Sequence, residues 1–92
     1  MANFEVLNLM KWLGFTVHRQ VRPVDLFVGD RLREFRINAG ETIEGIATYL
    51  AINPTIVRRF ETGRQRVSAA RLYMLAKRFD VPVAAFFPIG GG

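Results

Sequence analysis

The stretch from Thr42 to Gly63, TIEGIATYLAINPTIVRRFETG, leaves this chain little freedom, because two short helical patterns stand only three residues apart. Ile43, Ile46, Ala47 and Leu50 recur at i, i+3, i+4 and i+7, the apolar stripe of a helix with one buried side. Thr42 precedes the stripe as an N-cap. Ala51-Ile52-Asn53 interrupts the period, and Pro54 opens a second helix with Asn53 capping from just outside. In that helix Val57 and Phe60 face inward, Thr55, Arg58, Arg59 and Thr62 face outward, and Gly63 supplies a left-handed stop.

Two short helices, a three-residue turn and an arginine-bearing outer face point to a helix-turn-helix. The charge agrees with a polyanionic partner. Eleven arginines and two lysines give a net charge of +5, a balance that basic ribosomal and membrane-surface proteins share. Placement discriminates better: from Arg58 to Arg78 there are seven cationic residues against the single carboxylate of Glu61. With no cysteine and one histidine, the chain has neither a disulfide frame nor a metal-ligand set, so no cofactor is expected. Its carboxylates are scattered on helix surfaces without an acid–base pair, so an enzyme is not expected either. A cytoplasmic location fits.

At 92 residues the chain makes one domain near the lower limit for a self-sufficient core. Residues 1–22 read as a helix and an arm. Apolar side chains at 4, 6, 7, 9, 10, 12 and 13 leave only the narrow polar stripe of Glu5, Asn8 and Lys11. Such a helix must be covered on more than one side, and Phe4, Leu7, Leu9, Met10, Trp12 and Leu13 are the residues expected to build a dimer. An extra packing helix within one domain and a lipid-surface anchor are the alternatives. The segment is too short to span a membrane and lacks a secretory pattern. Phe15 to Val21 alternates apolar and polar residues, which suits a short strand or a linker, and His18 within it is assigned no function.

Pro23-Val24-Asp25 starts a helix predicted to bury Val28, Leu32, Phe35 and Ala39 and to expose Asp30, Arg31, Arg33 and Glu34 before Gly40 ends it. After Gly63, Ser68 caps a helix expected to bury Ala69, Leu72, Leu75, Ala76 and Phe79, with Tyr73 and Met74 completing the packing. Asp80-Val81-Pro82 breaks it. A last helical turn from Val83 to Phe87 closes the core with Phe86 and Phe87, and residues 89–92 form a glycine tail.

Gly40, Thr42, Glu44, Ile46, Ala47, Leu50, Ile52, Val57, Arg59, Phe60, Glu61 and Gly63 fall without a gap on the pattern of the Cro/CI-type (XRE) helix-turn-helix proteins of bacteria and phages, which this chain resembles from Val28 to Phe87. Four positions depart from it: Ile43 stands for the usual glutamine, Ala51 for the turn glycine, Pro54 for a polar reading residue and Thr62 for asparagine. The resemblance implies an all-α, lambda-repressor-like five-helix domain over residues 23–88, with the N-terminal helix and arm as an addition. It also implies an ion pair between Arg36 and Glu61 that ties the first helix to the end of the second helix of the motif. The expected partner is double-stranded DNA, bound by a homodimer that regulates transcription. Thr55, Arg58 and Arg59 are expected at base edges, and Asn53, Thr62, Arg64 and Arg66 at phosphates. The competing expectation keeps the fold but makes its task protein binding, as in an antitoxin or an antirepressor.

Overall fold

The computed structural model describes residues 21–88, and the regular elements among them are all helical. They are α1 (Pro23–Asn38), α2 (Ile43–Leu50), α3 (Pro54–Glu61), α4 (Ala69–Phe79) and a closing 3-10 turn, Val83–Phe86. The expected five helices are thus four α-helices and one 3-10 turn. The expected dimer-forming residues Phe4, Leu7, Leu9, Met10, Trp12 and Leu13 lie outside the described residues, as do the alternating stretch up to residue 20 and the tail from residue 89.

Local chemistry sets the boundaries. Pro23 occupies the first turn of α1, where its missing N–H leaves no bond unmade, and Asp25 sits in the same turn against the positive end of the helix dipole. Thr42 Oγ1 accepts from the Gly45 N–H at 2.9 Å, and Asn53 Oδ1 accepts from the Thr55 N–H at 2.8 Å, so both helices of the motif start on a side-chain cap. Ser68 Oγ does the same for α4, accepting from the Arg71 N–H at 3.3 Å. Between α2 and α3 the chain reverses through Ala51 at φ 58°, which lets the Ile52 N–H donate to the Ala47 carbonyl at 3.0 Å. That is the left-handed stop usually given to glycine, here imposed on alanine.

The core joins every element. Phe60, Phe86, Leu32, Ile46, Leu75 and Val57 are its largest fully enclosed side chains. Phe35 stands at its edge, with the Phe86 ring at 5.2 Å in a T-shaped arrangement and the Phe79 ring at 6.0 Å. Four expectations for burial fail. Ala39 is exposed because α1 ends at Asn38 and Ala39 is already its cap. Ala69 is exposed in the first turn of α4, and Tyr73 is 58 % exposed, because the buried stripe of that helix runs through Leu72, Leu75 and Ala76. Arg31, expected in solvent, is half-buried: its Nε donates to the Ala85 carbonyl at 3.0 Å and its guanidinium stacks 4.9 Å from the Phe35 ring, clamping the 3-10 turn onto α1. Val67, in the loop before α4, joins the core without having been expected there.

α1 lies directly on α3. A Cβ on Gly29 would collide with the Phe60 carbonyl oxygen and come within 2.9 Å of the Glu61 carbonyl, so only hydrogen fits where the two backbones cross. Two substitutions follow with opposite signs. Gly29→Ala destabilises the domain by about 3 kcal/mol, as overpacking outweighs the gain in helix propensity, whereas Ala51→Gly stabilises it by about 1 kcal/mol through relief of the positive φ. Urea denaturation of both variants checks the pair.

Candidate nucleic-acid interface

α3 and the loop behind it carry the side chains expected to meet nucleic acid. Each of the two faces of α3 has one job. Val57 and Phe60 anchor the inner side in the core, while Thr55, Arg58 and Arg59 are exposed on the outer side. Asn53 precedes them as the cap, and Thr62 and Arg64 follow, all three exposed. A single exposed ridge therefore carries Asn53, Thr55, Arg58, Arg59, Thr62 and Arg64. Arg66 departs from it. Its Nε donates to Asp25 Oδ1 at 3.1 Å, which draws the side chain toward the start of α1.

The angle of α3 is held from beneath by one ion pair. Arg36 Nε reaches Glu61 Oε2 at 2.6 Å and Nη2 reaches Oε1 at 3.1 Å, a two-pronged contact in which the side chains are 13 % and 6 % exposed. A third donor, Nη1, meets the Glu41 carbonyl at 3.0 Å, so one guanidinium binds the end of α1, the α1–α2 turn and the end of α3. Hydrogen bonding to Glu61 holds the Arg36 guanidinium above its ordinary range and outweighs partial burial, which pulls it down. A raised folded-state value contributes stability that is complete below the unfolded value and is lost only as the pH climbs through the folded one, far into the alkaline range.

The charges of the ridge differ in their freedom. Arg58 Nη2 is 3.3 Å from Glu44 Oε2, an exposed pair that bridges α3 to α2. Thr62 Oγ1 donates back to the Arg58 and Arg59 carbonyls at 3.0 and 3.3 Å. The guanidinium groups of Arg33, Arg59, Arg64 and Arg71 have no hydrogen-bond partner among the described residues. In the sequence Arg33 reads only as an exposed residue of α1. It lines a depression of about 290 Å³ together with Arg36, Ile43, Arg58, Glu61 and Thr62, which places a cation of α1 beside the ridge. The readable signal was its spacing of three from Arg36, which sets both on one face of α1.

A family model described as a helix-turn-helix domain matches residues 28–86. The chain belongs to that family. Among curated relatives, a Rhodospirillum rubrum protein named as an uncharacterized transcriptional regulator in the ATPase CF(0) region is 36 % identical over 69 residues, covering 75 % of this chain and 64 % of its own length. An uncharacterized HTH-type transcriptional regulator of Sinorhizobium medicae is 33 % identical over 69 residues, covering 75 % of this chain and 50 % of the relative. The chain thus spans about half to two thirds of the length of these relatives. In structure it is similar to the restriction-modification controller protein C.AhdI of Aeromonas hydrophila, at TM-score 0.63 and 28 % identity over 68 % of this chain and 96 % of that one. The clp gene regulator ClgR of Corynebacterium glutamicum aligns at TM-score 0.66 and 25 % identity, over 73 % of this chain and 71 % of that one. The family is a helix-turn-helix domain family, and these relatives and structural neighbours are named as regulators or a controller, none as an enzyme. No helix among the described residues is long and apolar enough to cross a membrane.

The ion pair is testable by itself. Glu61→Ala strands a largely buried guanidinium and costs about 3–5 kcal/mol, while Arg36→Met with Glu61→Leu costs far less because neither charge is left alone. A double-mutant cycle in guanidinium chloride measures the coupling.

Proposed function

We propose that this chain binds double-stranded DNA as a homodimer and regulates transcription in the manner of the Cro/CI-type proteins, with α3 laid in the major groove. The observation that carries this reading is the outer face of α3, where Thr55, Arg58 and Arg59 stand exposed on a helix whose other face is locked into the core. Arginine pairs bidentately with guanine, and a threonine methyl contacts that of thymine. Asn53, Thr62 and Arg64 flank the helix at the level of the phosphates, and Arg33 adds a cation from α1. Arg66 is the weakest of the phosphate group, because Asp25 already neutralises part of its charge. Pro54 puts an apolar ring at the start of the helix, which shifts part of the recognition from base contacts to DNA shape. The names of the relatives, all transcriptional regulators, support the same reading. Such a regulator works in the cytoplasm, where bacterial DNA lies. Pairing of two copies is assigned to the segment carrying Phe4, Leu7, Leu9, Met10, Trp12 and Leu13.

Selection from random-sequence DNA at fixed salt tests the reading: two inverted half-sites spaced by about one helical turn are expected. If alanine at 55, 58 and 59 together leaves affinity and preference unchanged, α3 is not the reading head, and a protein-binding role of the antitoxin or antirepressor kind replaces this one.

The individual arginines separate by how they fail. Arg59→Ala costs roughly 1–3 kcal/mol on the selected site and relaxes preference at one base pair, whereas Arg64→Ala weakens all sequences alike and lowers the salt slope by about one. Arg66→Ala lowers the slope by less. Fluorescence anisotropy across a salt series reads all three. Removal of residues 1–22 leaves a folded monomer with weaker DNA binding, measured by sedimentation and the same titration.

A further inference from the structure

The N-terminal half of α1, the loop after α3 and the first turn of α4 enclose an apolar cleft of about 370 Å³, walled by Val24, Val28, Val67, Leu72 and Phe87. Val24 and Leu26, on the same stretch of α1, are 39 % and 44 % exposed. The charged part of the rim is the Asp25–Arg66 ion pair, in which each charge answers the other. No buried side-chain nitrogen or oxygen among the described residues lacks a partner. A small-molecule site needs a few converging polar groups to fix its ligand, and this cleft has none to spare. It suits an apolar occupant whose arrival strands no charge.

Twenty residues of the chain precede Val21, and the position of Val21 shows where they join. A Cβ on Gly63 would lie 2.9 Å from Val21 Cγ1 and 3.0 Å from the Leu26 backbone, so the chain enters the domain against the α3–α4 loop, one wall of the cleft. Upstream, Val6, Leu9, Met10 and Leu13 recur in the sequence at i, i+3, i+4 and i+7, a spacing that a helix would set opposite Glu5, Asn8 and Lys11.

We propose that this face of the chain's own N-terminal segment seats in the cleft, packing Val6, Leu9, Met10 and Leu13 against Val24, Val67 and Leu72. The seven residues from Gly14 to Gln20 reach roughly 25 Å when extended, enough to return the segment to a cleft beside its own point of entry. The tether makes this an intramolecular event at an effective concentration in the millimolar range, which favours the chain's own segment over a second copy. The apolar residues of the segment are then divided. One flank packs on its own domain, and Phe4 and Leu7, turned away from it, remain for the second subunit. The occupant also lies over Val67 and beside Arg66, so it steadies the loop that carries Arg64. The seat does not depend on the DNA-binding reading.

The absence of cysteine from the chain makes disulfide trapping clean. Ala69 lines the cleft and is exposed, so a thiol there is tolerated. In the full-length protein, Leu9→Cys with Ala69→Cys is expected to oxidise to an intramolecular disulfide at a rate independent of protein concentration, at least tenfold faster than Asn8→Cys with Ala69→Cys on the polar stripe. Val24→Asp in the first background is expected to remove that advantage. Circular dichroism confirms that each variant is folded, and mass spectrometry after proteolysis assigns the bond. Trapping between two molecules would overturn the proposal in favour of a second copy in the cleft, and a rate equal to the Asn8 control would show that the cleft takes neither. DNA binding by the unsubstituted protein separates the two readings: binding there with failed trapping in the variants sinks the docking alone, while efficient trapping with no DNA binding by the unsubstituted protein upholds the docking and sinks the regulator.

Discussion

The contact on which the molecule depends is the crossing of α1 over the end of α3. At Gly29 the two backbones come so close that no side chain fits between them, and seven residues further along α1 Arg36 grips Glu61 from the same side. The first contact fixes the separation of the helices, and the second fixes the rotation of α3 about its own axis. Both are needed. An eight-residue helix cannot hold its direction by propensity, so the face that carries Thr55, Arg58 and Arg59 points outward because its back is held at these two places and by Val57 and Phe60 in the core. The desolvation cost of a nearly enclosed ion pair leaves little net stability in it, and its value lies in geometry.

The rest of the domain supports that crossing from the other sides. α4 is fastened to α2 by the Tyr49 hydroxyl, which donates to the Met74 carbonyl at 2.7 Å, and by Arg78, which lies 4.5 Å from the Tyr49 ring and bonds Glu41 at 2.7 Å. The 3-10 turn delivers Phe86 beneath α1, and Arg31 keeps it there. Polar clamps therefore surround an apolar centre. A chain this short gains few buried methyl groups per residue, and specific hydrogen bonds at the edges of the core restrict the alternatives it has.

Much of this was legible in the sequence. The spacing of Ile43, Ile46, Ala47 and Leu50, the caps Thr42, Asn53 and Ser68, and the stops at Gly40 and Gly63 are all local chemistry, and local chemistry survives folding with little change. Tertiary geometry was the obscure part. Gly29 carried its signal as a glycine inside a helical pattern, which marks a close approach but not its partner. Tyr73 looked like core because a period of apolar residues does not say how wide the buried stripe is, and Ala39 because a helix ended one residue earlier than its pattern. For the candidate site, the exposed residues of α3 could be named from the period alone. The pairing of Arg66 with Asp25, 41 positions away, and the nearness of Arg33 to Arg58 depend on how α1 folds over the motif, which no local spacing encodes.

The bridge from Arg58 to Glu44 has a bearing on selectivity. On the DNA-binding reading, an arginine that already holds a carboxylate does not simply add a contact; it changes partners, and the carboxylate it leaves stands exposed on α2 beside the same ridge. Any phosphate that approaches meets that negative charge whatever the sequence, whereas only a guanine at the right step returns two hydrogen bonds to the arginine. On that reading Glu44 would act as a threshold against indiscriminate adhesion, lowering the affinity for random DNA more than the affinity for the preferred site. In a chain with so large an excess of positive charge, one well-placed anion does more for discrimination than another cation would.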